Sequence, residues 1–447
     1  MPNSPTFQRL LLTVLLPFLL CSAVHAQKQA TMDDLDHIVG NAKFVNFGED
    51  SHFMTGVHQY VARMFRHLAE KKGFRVFVFE AAWNTEEAFA DFMKSDRTTV
   101  TPEEQFYLNA FHSKAIVEML IWIRDWNRKN PNDQIRITGY QPEQPVMDFN
   151  ALWDFAGKSD KFAAADLKTK AAVCRAGTGE VKTNIEFIAS MGKRLRSGQP
   201  TYTTADRAAC NQAINAIESF IEQNKTELIK KNSRNAYLEA GAHLKSLRTY
   251  LNTLTYTLDQ LTFNKTATLE EQRALQKKVY EEGDKARFEI FEILRQTRFK
   301  NKKIFFWMHN WHAMKYSNEV DAFGRTEKDA SLPPETISIG TRMAQAYGKQ
   351  LVVIGNIVAK AVCKNPICTP PPVREDSLET RFATRFGAGS ALVNLLKPTA
   401  ADKLLPLAVS GSLYADINQG HFTKVVLKRQ FDAIYYLSET TATFEEK

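Results

Sequence analysis

Residues 43–80 read KFVNFGEDSHFMTGVHQYVARMFRHLAEKKGFRVFVFE. Two β-rich runs, 43–47 and 75–80, flank an amphipathic helical pattern over 54–73. That pattern stops at Gly73, directly after Lys71 and Lys72, as a helix C-terminus should. A second helical pattern, SKAIVEMLIWIRDWNRKN at 113–130, leads to a third β run, QIRITGY at 134–140. Strands alternating with helices imply βαβ units and a parallel sheet.

Further along, the pattern changes. From about Val146 to Thr297 strand-like runs vanish, and helix-forming stretches such as 216–232 and 270–296 dominate. The β signal returns as KKIFFWM at 302–308, followed by a helical pattern at 336–348 and an apolar run at 350–362. After the turn at Pro370, Pro371 and Pro372 comes a last strand, AIYYLSE, at 433–439. The expected fold is α/β: a mostly parallel sheet core with a large α-helical insertion. The corresponding division is 27–145 for the first part of the core, 146–300 for the insertion and 301–447 for the second part.

Composition agrees with a packed enzyme-sized chain. Among 447 residues, 44% are hydrophobic, 24% are charged and 30 are Phe, which excludes disorder, collagen-like repeats and a disulfide-dense mini-scaffold. The 58 basic residues are offset by 50 acidic ones to a net +8, and the two signs alternate along helical stretches. Such a pattern describes a solvated surface rather than a nucleic-acid footprint.

The N-terminus carries one positive charge, Arg9, then an apolar run over 10–20, then Val24-His25-Ala26 with small residues where a signal peptidase reads. A signal peptide over 1–26 is expected, because a spanning helix needs about 20 apolar residues. The mature protein is then secreted or periplasmic, with no membrane segment after cleavage. Four cysteines remain, Cys174, Cys210, Cys363 and Cys368. Proximity favours Cys174–Cys210 and Cys363–Cys368, although four cysteines allow three pairings.

The chemistry concentrates where strands end. The first run leads into Gly48-Glu49-Asp50-Ser51-His52, the second ends on Glu80, and 302–308 leads into His309-Asn310-Trp311-His312. The carboxyl edge of an open α/β sheet is where ligand sites form. A lone His beside a Trp is more often a hydrogen-bonded core residue than a catalyst, and a Glu at a strand end is as often a cap or an ion pair. Three strand ends carrying Glu and His together point to a site. A G-x-S-x-G elbow, H-E-x-x-H, a P-loop and G-x-G-x-x-G are all missing from the sequence. A serine nucleophile, a zincin and a dinucleotide cofactor lose support, leaving His and Glu acting on water.

At these residues the chain resembles the erythromycin esterase family. The match rests on GEDSH at 48–52, GFRVFVFEAAW at 73–83, WMHNWH at 307–312 and AYGKQLVVIG at 346–355. The resemblance implies metal-independent ester hydrolysis in a cleft at the strand ends, without a cofactor. By the same resemblance, His52 is the general base, Glu49 its partner and Glu80 the carboxylate that orients the water. His309 and His312 are the pair that polarises the carbonyl and protonates the leaving alkoxide. Arg63 and Arg287 are the candidate substrate-binding cations. Two departures stand out. The family's Arg-Asp pair before the H-N-x-H strand is Gly283-Asp284 here, with Arg287 displaced, and its G-[FY]-D is Gly139-Tyr140-Gln141.

The expected partner is a small-molecule substrate, a carboxylic ester or macrolide lactone; nucleic acid is not expected and the oligomeric state is open. Two other readings share the site. Glu49, His52, Glu80, His309 and His312 are also competent ligands for zinc or manganese in a metal-dependent hydrolase or peptidase. Alternatively, an exported binding protein could keep the cleft and lack turnover.

Overall fold

The computed structural model describes residues 31–108, 111–174, 193, 203–263, 268–319, 321–323, 336–362, 375–396, 408–410 and 422–442. The expected signal segment and Cys363 and Cys368 lie outside them. Seven strands form the central sheet: β1 (Phe44–Glu49), β2 (Phe74–Ala82), β3 (Arg136–Gln141), β4 (Lys303–His309), β5 (Leu351–Val358), β6 (Ser390–Asn394) and β7 (Ala433–Leu437). Their spatial order is β3-β2-β4-β1-β5-β7-β6. Every pairing is parallel except that of β7 with the edge strand β6. The chain is therefore α/β, as the alternation of patterns implies. The antiparallel edge strand has no counterpart among the expected runs.

The strands read as continuous apolar runs because both faces of the sheet are covered. Val45, Phe47, Phe77, Phe79, Phe305, Trp307 and Ile354 belong to one buried cluster, shared with α1 (Thr55–Lys72) and α2 (Lys114–Lys129). Their alternate neighbours Phe44, Val76, Val78, Ile304, Phe306, Met308 and Val353 belong to the cluster on the opposite face. Local signals set the helix ends. Gly73 adopts φ +73° at the end of α1, where its N–H caps the Leu68 carbonyl, and the Ser113 hydroxyl accepts from the Ile116 N–H at the start of α2.

Between β3 and β4 lie α3 (Pro145–Gly157), α4 (Thr204–Gln223), α5 (Arg234–Phe263) and α6 (Leu269–Thr297). The helical stretch at 216–232 is broken at Asn224, whose N–H caps α4 on the Phe220 carbonyl. Phe149, Leu152, Ile214, Ile217 and Leu247 form a third buried cluster, which the Cys174–Cys210 disulfide joins. The helical layer does not end in a boundary. Ile290, Phe291 and Leu294 of α6 pack into the sheet's own core, so one helix serves both layers.

One detail of β2 differs from the sequence expectation. The strand does not end on Glu80 but runs to Ala82, and its register against β3 shifts between Phe79 and Ala82. Such a bulge re-aims side chains locally. It also brings the Ala81 and Ala82 carbonyls so close to Gly139 that a Cβ there would collide with both. Gly139→Ala should therefore destabilise the protein by about 1–3 kcal/mol, measured by urea unfolding. A neutral effect would mean that the bulge is not constrained in this way.

Candidate active site

Strand order explains how distant residues meet. Because β4 lies between β1 and β2, the carboxyl ends of three strands stand side by side, with Glu49 and His309 in direct register. The turn after β1 returns His52 over Glu49, with His52 Nδ1 2.7 Å from Glu49 Oε1. The other Glu49 oxygen accepts from the Trp307 indole N–H at 2.7 Å. Glu49 is fully buried, while the His52 side chain keeps 31% of its surface exposed. Burial pushes the Glu49 carboxyl up to about 7, against the opposing pull of His52. With Nδ1 committed to this carboxylate, Nε2 becomes the proton-accepting nitrogen of the neutral ring.

Behind the pair runs a chain of alternating charges. Glu80 Oε2 accepts from the His309 backbone N–H at 2.9 Å. Glu80 Oε1 faces Gln141 Nε2 at 3.1 Å and His312 Nε2 at 3.3 Å. The other imidazole nitrogen of His312 lies 3.0 Å from Asp284 Oδ2, and that oxygen also accepts from the Ile339 N–H at 2.9 Å. Asp284 Oδ1 accepts from Arg287, whose Nε donates to Gln141 Oε1 at 2.7 Å. Burial would raise the Glu80 carboxyl, but His312, His52 and the His309 N–H hold it below its ordinary value. Burial would raise Asp284 too, yet His312 and Arg287 depress it to about 2.

The His309–Ala313 turn is fixed from beneath. Asn310 donates to the Asn356 carbonyl at 2.8 Å and accepts from the Asn356 N–H at 3.0 Å, tying the turn to β5. His309 Nδ1 accepts from the Trp311 N–H at 3.2 Å, so the ring hydrogen sits on Nε2, and the Asp50 backbone also interacts with this ring. Burial, reinforced by His52 and His312, pushes His309 down to about 3, which keeps it a neutral donor. Its ring centroid is 5.9 Å from that of His52.

Five sequence candidates, Glu49, His52, Glu80, His309 and His312, are thus one cluster, and Arg287 reaches it from α6. Arg63 does not. It is exposed on α1, with its guanidinium 5.5 Å from the centre of the Tyr60 ring. The displaced Arg287 and the amide of Gln141 compensate each other, since Gln141 bridges Glu80 to Arg287. Three contributors stand outside the expected site residues, although Asp284 belongs to the altered Arg-Asp pair. Trp307 anchors Glu49, Asp284 links His312 to Arg287, and buried His58 faces the His52 carbonyl through Nε2 at 2.8 Å and the Ser113 hydroxyl through Nδ1 at 2.9 Å. Among the described residues, no three His, Cys, Asp or Glu are grouped so as to hold a metal ion.

A family profile described as Erythromycin esterase matches residues 69–440. Among solved structures, a Bacillus cereus protein aligns with TM-score 0.68 and 18% identity over 94% of each chain. A histidine-to-asparagine variant of the erythromycin esterase EreC, in its open conformation, aligns with TM-score 0.66 and 16% identity over 92% of this chain and 93% of its own. A succinoglycan biosynthesis protein aligns with TM-score 0.63 and 15% identity over 92% of this chain and 91% of its own. No curated protein matches the sequence significantly. At these identities the structures share a fold with this chain.

Asp284 is the node on which the charge chain turns. A carboxyl depressed from 3.8 to about 2 contributes stability that is fully present above about pH 4 and is lost as pH falls through about 2. Asp284→Asn should cost about 3–5 kcal/mol at pH 7, because it leaves Arg287 and His312 without their carboxylate. In urea unfolding the gap to the unsubstituted protein should narrow as the pH is lowered from 4 to 2. A gap that stays constant over that range would remove the electrostatic explanation.

Proposed function

Because this chain belongs to the erythromycin esterase family, we propose that it is an exported hydrolase that opens a carboxylic ester, a macrolide lactone among them, with a histidine-activated water. The family supports a hydrolase. The observation that carries the finer reading is the 2.7 Å contact between His52 Nδ1 and buried Glu49, itself held by Trp307. A base must have its lone pair aimed at the substrate side and its other nitrogen anchored.

In this reading His52 Nε2 takes a proton from water as the oxygen attacks the ester carbonyl carbon. Glu49 holds the ring and shares the positive charge that develops on it. Glu80, kept ionised by its donors, sits within electrostatic reach of His52 and lowers the energy of the imidazolium. The neutral His309 ring supplies an N–H beside His52, suited to the carbonyl oxygen as it becomes an oxyanion. Arg287 adds positive charge at the same edge. His312, 8% exposed and engaged by carboxylates at both nitrogens, holds Glu80 in place.

Export is part of the proposal. The Cys174–Cys210 disulfide suits an oxidising compartment, and no described helix is long and apolar enough to cross a membrane. The macrolide lactone is suggested by the similarity to the erythromycin esterase EreC, and the substrate itself is best found by a screen over lactones and simple esters.

On any ester found to be a substrate, His52→Ala should lower kcat/KM by roughly 10²–10⁴-fold while circular dichroism and the melting temperature hold. Turnover that survives the substitution would remove His52 as the base.

A further inference from the structure

The proposed hydrolysis leaves one buried imidazole unused, that of His58. It closes the first turn of α1, where its own N–H donates to the Met54 carbonyl at 3.0 Å. Helical side chains lean toward the N-terminus, so a residue at this place reaches back over the loop that feeds the helix. That loop, residues 50–54, carries His52. His58 Nε2 lies 2.8 Å from the His52 carbonyl oxygen. A carbonyl only accepts, so the ring hydrogen is on Nε2, and Nδ1 accepts from the Ser113 hydroxyl at 2.9 Å. Ser113 is held in turn, because its oxygen takes the Ile116 N–H as the N-cap of α2. The His58 ring also packs edge-on against Trp307, with centroids 4.7 Å apart and planes at 87°. Trp307 is the residue whose indole N–H anchors Glu49. His58 therefore touches a support of each partner, the backbone of His52 and the indole that holds its carboxylate. Phe111 closes this shell, its ring centroid 4.6 Å from that of Trp307 and 5.1 Å from that of His52.

We propose that His58 is a positioning residue for His52, a neutral donor that fixes the backbone from which the base is aimed; the assignment rests on the hydrolase reading above. The His52 ring is partly open to solvent, so its direction depends on how firmly its backbone is held. A misplacement of about 1 Å in a reacting group costs about 10²-fold in rate. The neutrality of the His58 ring matters as well. Burial pushes it down to about 3, with His52 and His112 adding to the fall and its hydrogen bond to the His52 backbone opposing it. The ring is thus uncharged wherever His52 can act as a base, and its Nε2–H is always there to donate. An uncharged donor also leaves the imidazolium that forms on His52 without a like charge behind it.

The test uses two variants. His58→Phe keeps a ring against Trp307 but removes both hydrogen bonds, whereas the amide of His58→Gln can donate to the His52 carbonyl and accept from Ser113. On an ester that the unsubstituted protein cleaves, His58→Phe should lower kcat by about 10–10²-fold while KM stays within about twofold. His58→Gln should recover most of that loss, with circular dichroism recording that both variants are folded. An unaffected kcat in His58→Phe, equal losses in the two variants, or a change confined to KM overturns the positioning role and leaves the hydrolase standing. Nitrogen NMR of the histidine rings reads the premise without any substrate. The signal that His58→Gln removes should be that of a neutral Nε2–H ring from about pH 5 to pH 8. A ring protonated on Nδ1, or one that titrates in that range, overturns the proposal even where esters are cleaved. An unsubstituted protein that cleaves nothing in a panel of esters and lactones overturns the hydrolase reading, and the kinetic role of His58 with it.

Discussion

The position of β4 is the constraint from which the site follows. A strand contributed by the second half of the sequence inserts between β1 and β2 of the first half, and its pairing sets Glu49 opposite His309. Without that insertion the GEDSH turn, Glu80 and the H-N-x-H turn would stand at separate places on the sheet edge. With it, three carboxylates, Glu49, Glu80 and Asp284, come together in a region largely closed to water. Their mutual repulsion and desolvation have to be offset within the cluster.

The offset is built from alternation. Each acid is paired with a donor: His52 on Glu49, His312 on both Glu80 and Asp284, Arg287 on Asp284 and, through Gln141, on Glu80. Buried ion pairs of this kind add little net stability over apolar packing, yet removing one member is costly because its partner is stranded. Here α6 supplies Asp284 and Arg287 while packing on both the sheet and the helical layer. The helical insertion and the strand-end cluster are therefore mechanically joined.

Much of the architecture was legible in the sequence because local physics wrote it there. Runs such as 75–80 and 302–308 are apolar on both faces, which only a doubly covered sheet requires, and Gly73 and Ser113 mark helix ends by their own backbone and side-chain chemistry. The resemblance at GEDSH, Glu80 and H-N-x-H named the residues that the fold assembles. What escaped was non-local. Strand order is not encoded in any one run, so nothing in 302–308 says which strands it will separate. The length of β2 was misjudged because Glu80 lies in a bulge rather than at the end. Arg63 has the right charge but leaves the site because its position on α1 turns it toward Tyr60, while Arg287, out of sequence register, arrives by way of a helix turn.

At the centre of the proposal, Glu49 and His52 act as one unit in the proposed hydrolysis, the carboxylate contributing through the imidazole that it holds. A double-substitution cycle measures that dependence directly, with kcat/KM determined for Glu49→Gln, His52→Ala and the pair on one ester. The account predicts that the double variant is no slower than His52→Ala alone, because groups that function together lose their effect together. Losses that multiply in the double variant would show two independent contributions and contradict it.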